Sequence, residues 1–101
     1  MRILLKKVGK PLLMAEVSNN LQALQKVVGG PIEVLTIASN LVCVCNEEGR
    51  LLNMKDNFNC LGETLVGDVF FCGVREDEFC SLESEIGFKV CKNIVDGGKN
   101  R

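Results

Sequence analysis

Six cysteines, at positions 43, 45, 60, 72, 80 and 91, carry the richest side-chain chemistry in this chain, which contains no histidine. Cys43 and Cys45 lie two apart in an apolar run, so on a strand they share a face, with Cα atoms about 6.6–6.8 Å apart. A disulfide at that spacing sits at the upper limit of about 6.8 Å and would be strained. A tetrahedral zinc site would need two more thiolates from Cys60, Cys72, Cys80 or Cys91, which form no close pair in the sequence. Cys43, Cys45 and Cys72 are embedded in apolar runs, where cysteine acts as a small buried hydrophobe. The expectation is free structural thiols, no metal and no cofactor. Cys43, Cys45 and Cys72 should resist alkylation, Cys60 should react readily, and Cys43→Ala or Cys45→Ala should cost roughly 1 kcal/mol.

The carboxylates come next. Glu33 shares a strand face with Leu35 and Ile37; buried, its carboxyl would have a raised pKa and could act as an acid, whereas on an edge strand it is simply solvated. No second catalytic group accompanies it, and without histidine the commonest general base is missing, so no enzymatic activity is expected. Glu47 and Glu48 fall in one turn and Glu76, Asp77 and Glu78 in another. Each is either a solvated turn or a contact site for a basic partner. Together with Asn57 they form the candidate partner-binding set. Gly29 and Gly30 follow a helical stretch, and no Walker-type lysine comes after them, so they read as a cap and turn rather than a phosphate cradle.

Charge is uneven although the net is −1. Residues 1–10 carry Arg2, Lys6, Lys7 and Lys10, whereas residues 11–88 hold twelve acids against Lys26, Arg50, Lys55 and Arg75. Lys89, Lys92, Lys99 and Arg101 against Asp96 make the last stretch basic again. An alternative site therefore uses Lys6, Lys7, Lys10, Lys89 and Lys92 as nucleic-acid contacts, which requires the first hairpin and the last helix to lie side by side. Aromatic residues are not interleaved with these lysines, so direct binding of nucleic acid is not expected. No apolar run approaches the roughly 20 residues that span a bilayer, and the first residues are too short an apolar stretch for a signal peptide; the expected location is the cytoplasm.

The elements that must position these groups are legible in part. Leu21, Leu24, Val27 and Val28 make one apolar face, predicting a helix over 20–28, capped by Ser18, Asn19 or Asn20 and ended by Gly29. Residues 2–8 and 12–17 read as a hairpin turning at Gly9, Lys10 and Pro11, and 32–37 as the strand entered through Pro31. Leu41, Val42, Cys43, Val44 and Cys45 are apolar on both faces, as are residues 68–74; both are predicted interior strands. Residues 50–54 are expected to return beside 41–45 as a second hairpin and 55–67 to form a polar, irregular loop. A last helix, capped by Ser81 or Ser84, carries Ile86, Val90 and Ile94 with Cys91 and Val95 beside them, and is weakened by Gly87. With 101 residues and 47% hydrophobic composition, the chain should form a single compact α+β domain over 1–96 with a frayed tail over 97–101. Its sheet is expected to be mostly antiparallel, of about five or six strands, with one central helix and a C-terminal helix.

Three ordered motifs carry a resemblance. Residues 24–30 (Leu-Gln-Lys-Val-Val-Gly-Gly) followed by Ile32-Glu33-Val34, then 45–52 (Cys-Asn-Glu-Glu-Gly-Arg-Leu-Leu), then 67–73 (Gly-Asp-Val-Phe-Phe-Cys-Gly) ahead of Phe79 and Leu82, resemble the domain-of-unknown-function 3846 family over about residues 1–82. The chain departs from the family pattern at Pro31, where an aromatic is usual, and at 54–58, where Asn57 is the one counterpart of a proline, proline, asparagine, arginine segment. The resemblance implies a small bacterial protein of phages or conjugative elements, with no established activity. That setting, with the missing reaction centre, the acidic middle and the exposed turns, suggests a non-enzymatic protein-binding module, an antagonist of host CRISPR or restriction defence, whose partner is a host or element-encoded protein such as a nucleic-acid-processing enzyme. The alternative is a weak nucleic-acid-binding accessory protein.

Overall fold

The computed structural model describes residues 1–97. Its elements are β1 (Arg2–Lys6), β2 (Leu13–Glu16), α1 (Leu21–Val28), β3 (Ile32–Ala38), β4 (Leu41–Asn46), β5 (Asp56–Cys60), β6 (Glu63–Val66), β7 (Val69–Arg75), β8 (Glu78–Cys80) and α2 (Glu85–Gly97). The chain forms the expected α+β domain. Its six-stranded sheet has the order β2-β1-β7-β4-β3, with β8 also pairing β7, and every pairing is antiparallel. The tail expected over 97–101 lies, from residue 98 on, outside the described residues; Gly97 closes α2.

Alternation along the interior strands builds two cores. Ile3, Val42, Val44, Phe70 and Cys72 face α1, which lays Leu24 and Val28 on them. Leu4, Leu41, Cys43, Cys45, Val69 and Phe71 face the other way, beneath Phe58, Cys60 and Leu65 of the β5–β6 ribbon and Cys91 and Val95 of α2. Phe70 and Phe71, adjacent in β7, are both fully buried on opposite faces, which is what a strand covered on both sides requires. At about 1.5–3 kcal/mol per large apolar side chain removed from water, these two layers hold the short helices in place.

α1 starts where Asn20 Oδ1 accepts the Ala23 N–H at 2.9 Å and stops at Gly29, whose φ of 83° is left-handed and whose N–H reaches the Gln25 carbonyl. Ser84, not Ser81, caps α2: its Oγ accepts from the Ile86 and Gly87 N–H groups, whereas Ser81 Oγ accepts from the Arg2 N–H. Two residues expected on helical apolar faces are outside: Leu21 is 58% and Ile86 75% exposed, each in the first turn of its helix.

The second hairpin is a correction. Residues 50–54 do not return beside β4, because β3 and β7 already occupy both of its edges. They coil instead through successive turns closed by Leu52 N–H to Glu48 O and Met54 N–H to Gly49 O. The loop expected over 55–67 is a ribbon in which β5 pairs with β6 across a Leu61-Gly62 turn, both residues at positive φ. It forms because Phe58 and Cys60 alternate inward and Leu65 meets them, with the Phe58 ring 6.0 Å from that of Phe71. Cys60 is therefore fully buried, against the expectation that it would react. Burial raises the thiol pKa of Cys43, Cys45, Cys60, Cys72 and Cys91. On native alkylation followed by peptide mapping, Cys80, half-buried at the end of β8, should be the thiol labelled first; fast labelling of Cys60 would contradict the packing of the ribbon. Among the described residues no helix is long and apolar enough to cross a membrane.

Candidate functional site

Where β4 ends, three elements meet. Asn46, 4% exposed, donates from Nδ2 to the Val28 carbonyl at 3.1 Å and accepts the Glu48 N–H at 2.7 Å on Oδ1, tying the end of α1 to the turn beyond β4. The fit is close: a Cβ on Gly30 would stand 2.9 Å from Asn46 Nδ2, and one on Gly49 2.7 Å from a Val66 methyl. Glu47 N–H donates to Pro31 O at 2.8 Å, and Arg50 Nη2 donates to the Thr64 carbonyl at 3.0 Å, which brings the turn against β6.

The result is a polar pocket of about 320 Å³ lined by Glu33 from β3, Glu47 and Arg50 from the turn, Glu63 from β6, and Cys45 beneath. Cys45 reports the acids around it. Its thiol is pushed up to about 11, first by burial and then by the negative charge of Glu33 and Glu63. Leu51, 83% exposed, stands on the rim. The site offers carboxylates to a cationic group beside an apolar foothold. No group of three or more Cys, Asp or Glu side chains among the described residues is arranged to hold a metal ion.

The residues expected to bind a partner do not form one surface. Glu47 and Glu48 are exposed at the pocket end of the sheet. Glu76 and Asp77, both at positive φ, form the tight β7–β8 turn with Glu78 exposed beside it, at the opposite end, since β7 and β4 run antiparallel from the Leu41 to Gly73 pairing. Asn57 is spent on the fold: its Nδ2 donates to the carbonyls of Lys6 and Gly67, each at 2.8 Å, and its Oδ1 accepts from Lys6 Nζ at 3.0 Å.

The alternative set is divided in the same way. The first hairpin and α2 do lie side by side, lining an apolar groove of about 350 Å³ with Leu4, Met14, Leu82 and Phe88, and a smaller pocket of about 160 Å³ with Leu12, Phe88 and Lys92. Lys7, Lys10, Lys89 and Lys92 are exposed, Lys89 on the groove and Lys92 on the smaller pocket, but Lys6 is only 5% exposed and its ammonium donates to Lys7 O as well as to Asn57. Glu83 and Glu85 share the groove with Lys89, and Lys92 pairs with Asp96 at 3.5 Å.

Sequence reasoning alone does not single out Asn46, Arg50, Leu51 or Glu63 as pocket members. For Glu63 the available signal is the Leu61-Gly62 turn between Phe58, Cys60 and Leu65. Nothing local marks the role of Arg50.

Fold and site together define a class: a three-layer antiparallel α+β domain, α1 on one face, α2 and a β-ribbon on the other, with an acid-lined pocket at one end of its sheet. The chain belongs to the family described as Domain of unknown function (DUF3846), whose model matches residues 1–94. No curated protein and no solved structure matches it.

Proposed function

We propose that the protein is a non-enzymatic binding module that engages a basic surface of a partner protein at the acid-lined end of its sheet. The observation that carries this reading is the convergence of Glu33, Glu47 and Glu63 from three separate elements on one pocket, beside the exposed Leu51. Such an arrangement favours encounter with a positively charged patch and gives it an apolar contact once docked. The acidic balance of residues 11–88 adds attraction at longer range. The mobile-element setting implied by the resemblance narrows the partner to a nucleic-acid-processing enzyme of the host or the element, and the role to antagonism of host defence by occupying its basic site. The chain's charge is far sparser than the one per roughly 1.7 Å of duplex DNA, so the mode is local docking rather than mimicry of a whole duplex.

Affinity capture from the natural host, with the wild type beside a Glu33→Lys/Glu47→Lys/Glu63→Lys variant of matched thermal stability, tests the reading. The expected outcome is a specific protein held by the wild type and lost at least tenfold by the variant. Equal capture by both, or recovery of nucleic acid without a specific protein, would overturn it. A second reading draws on the packing of the first hairpin, which carries the exposed Lys7 and Lys10, beside α2, which carries the exposed Lys89 and Lys92. It predicts a gel shift with duplex or single-stranded DNA at about 50 mM salt, where phosphate contacts are strongest. No shift there removes it.

A further inference from the structure

Strand β3 closes one side of the sheet, and the backbone register shows which of its groups have a partner. In an antiparallel ladder alternate residues turn their N–H and C=O to one side and the residues between them to the other. Glu47 N–H bonds to Pro31 O, extending the register that sets Glu33 opposite Cys45 and Leu35 opposite Cys43, so residues 33 and 35 turn inward to β4. On the far side of β4, Val74 N–H bonds to Asn40 O in line with the pairs Val42 to Cys72 and Val44 to Phe70. That commits the even residues of β4 to β7 and leaves 43 and 45 for β3. The two ladders agree, and the N–H and C=O groups of Ile32, Val34 and Thr36 point outward, where no described strand pairs with them.

Exposed edges invite pairing, and proteins blunt them with lysine, proline, bulges or brevity. The opposite edge, β2, has four residues, and its register leaves only Met14 and Glu16 facing out. On β3 the proline comes before Ile32 and the bulge after Thr36, so the stretch between them is regular and carries no lysine.

We propose that the outer edge of β3 receives an extended basic segment of a partner protein as an added strand. This deepens the reading of the acid-lined end as a protein-binding site and rests on it. Charge selects this occupant. The pocket beside this edge sets Glu33, Glu47 and Glu63 against a single cation, Arg50, whose guanidinium already donates to the Thr64 carbonyl, so a second copy laid along the same edge would bring an excess of acids to acids. A strand added to β3 alternates its side chains between two faces. Those on the Glu33 side run toward the pocket of Glu47 and Glu63; those on the other side meet Val34, which is 44% exposed, and Thr36. The complementary segment alternates basic and apolar residues.

The test uses a labelled ten-residue peptide of alternating lysine and valine, followed by fluorescence anisotropy at about 50 mM salt and by amide exchange in NMR. Two controls accompany it: an alternating glutamate and valine peptide, and an N-methylated lysine and valine peptide that keeps its charge and loses its backbone donors. The lysine and valine peptide should bind at least tenfold tighter than either control and slow exchange of the Ile32, Val34 and Thr36 amides at least tenfold. Val34→Pro, which removes an outward N–H and no internal hydrogen bond, should abolish binding, and Glu33→Lys should weaken it at least tenfold. Binding that leaves the three amides unprotected, or that the N-methylated peptide reproduces, overturns strand addition. So does protection of those amides in the free protein that rises with its concentration, since a second copy is then the occupant. A captured host partner kept by Val34→Pro but lost on reversal of Glu33, Glu47 and Glu63 defeats the edge while sparing the binding module; one kept by both defeats both.

Discussion

Raising the pH from 9 to 11 should unfold this protein. Burial pushes the Cys72 and Cys91 thiols up to about 12 and Cys45 to about 11, from an ordinary value of 9.0, and raises Cys43 and Cys60 as well. The sign follows from proton counts. Unfolded thiols begin to lose their protons near pH 9 while the folded ones keep theirs, so the unfolded state binds fewer protons and stability falls as pH rises. The contribution is intact below pH 9 and lost on the way to 11 or 12. Each such thiol removes about 1.4 kcal/mol per pH unit, and three of them act together on a total that for a domain of this kind is about 5–15 kcal/mol. Urea titrations followed by circular dichroism at pH 7, 9, 10 and 11 measure the slope. Cys72→Ala and Cys91→Ala should each lower stability at pH 7 yet flatten the alkaline loss. An alkaline loss of unchanged slope in both variants would assign it to other groups, the lysines first.

Asn57→Ala should be the most damaging change at a single polar side chain, at about 2–4 kcal/mol. Asn57 serves three groups at once: it donates to the carbonyls of Lys6 and Gly67 and accepts from the Lys6 ammonium, which is buried at the end of β1. Alanine leaves two carbonyls short of a donor and takes an acceptor from a buried cation. Asn57→Asp keeps an acceptor for Lys6 but turns an oxygen toward carbonyls that had a donor, so it should not rescue fully. In thermal unfolding the loss corresponds to roughly 8–32 °C at about 4–8 °C per kcal/mol. A change below about 1 kcal/mol in Asn57→Ala would mean that water takes over these bonds and that Asn57 is not the clasp described. The residue expected to meet a partner is instead one that the ribbon needs to stay in place.

What could be read from the sequence was local. The hairpin of β1 and β2, α1 with its glycine stop, and the two-faced apolar runs of β4 and β7 each follow from neighbours within a few positions. What could not be read depends on which strand lies beside which. The ribbon of β5 and β6 is hard to read because Asn57 and Asn59, the polar members of its alternation with Phe58 and Cys60, are residues that strands seldom hold, and because the occupancy of both edges of β4, which forbids residues 50–54 from pairing there, is a property of the whole sheet. Lys6, expected as a nucleic-acid contact, instead follows Leu4 on the side of β1 that the ribbon covers, and its pairing with Asn57, fifty-one positions away, explains how a lysine is tolerated there. The pocket draws Glu33, Glu47 and Glu63 from three elements, and no spacing in the chain announces it.

β7 lies between β1 and β4, the inner strands of two hairpins that precede it in the chain. During synthesis both hairpins can form early, but neither has a neighbour on its inner side until residue 75 has been added. At about 5–20 residues per second, the interval between the end of β4 at residue 46 and the end of β7 at residue 75 lasts roughly 1.5–6 s. Through that interval the nascent chain carries two half-sheets with bare apolar faces and open inner edges. A ribosome that stalls there leaves a sticky intermediate, and β7 is the last strand to arrive before the two halves can become one sheet.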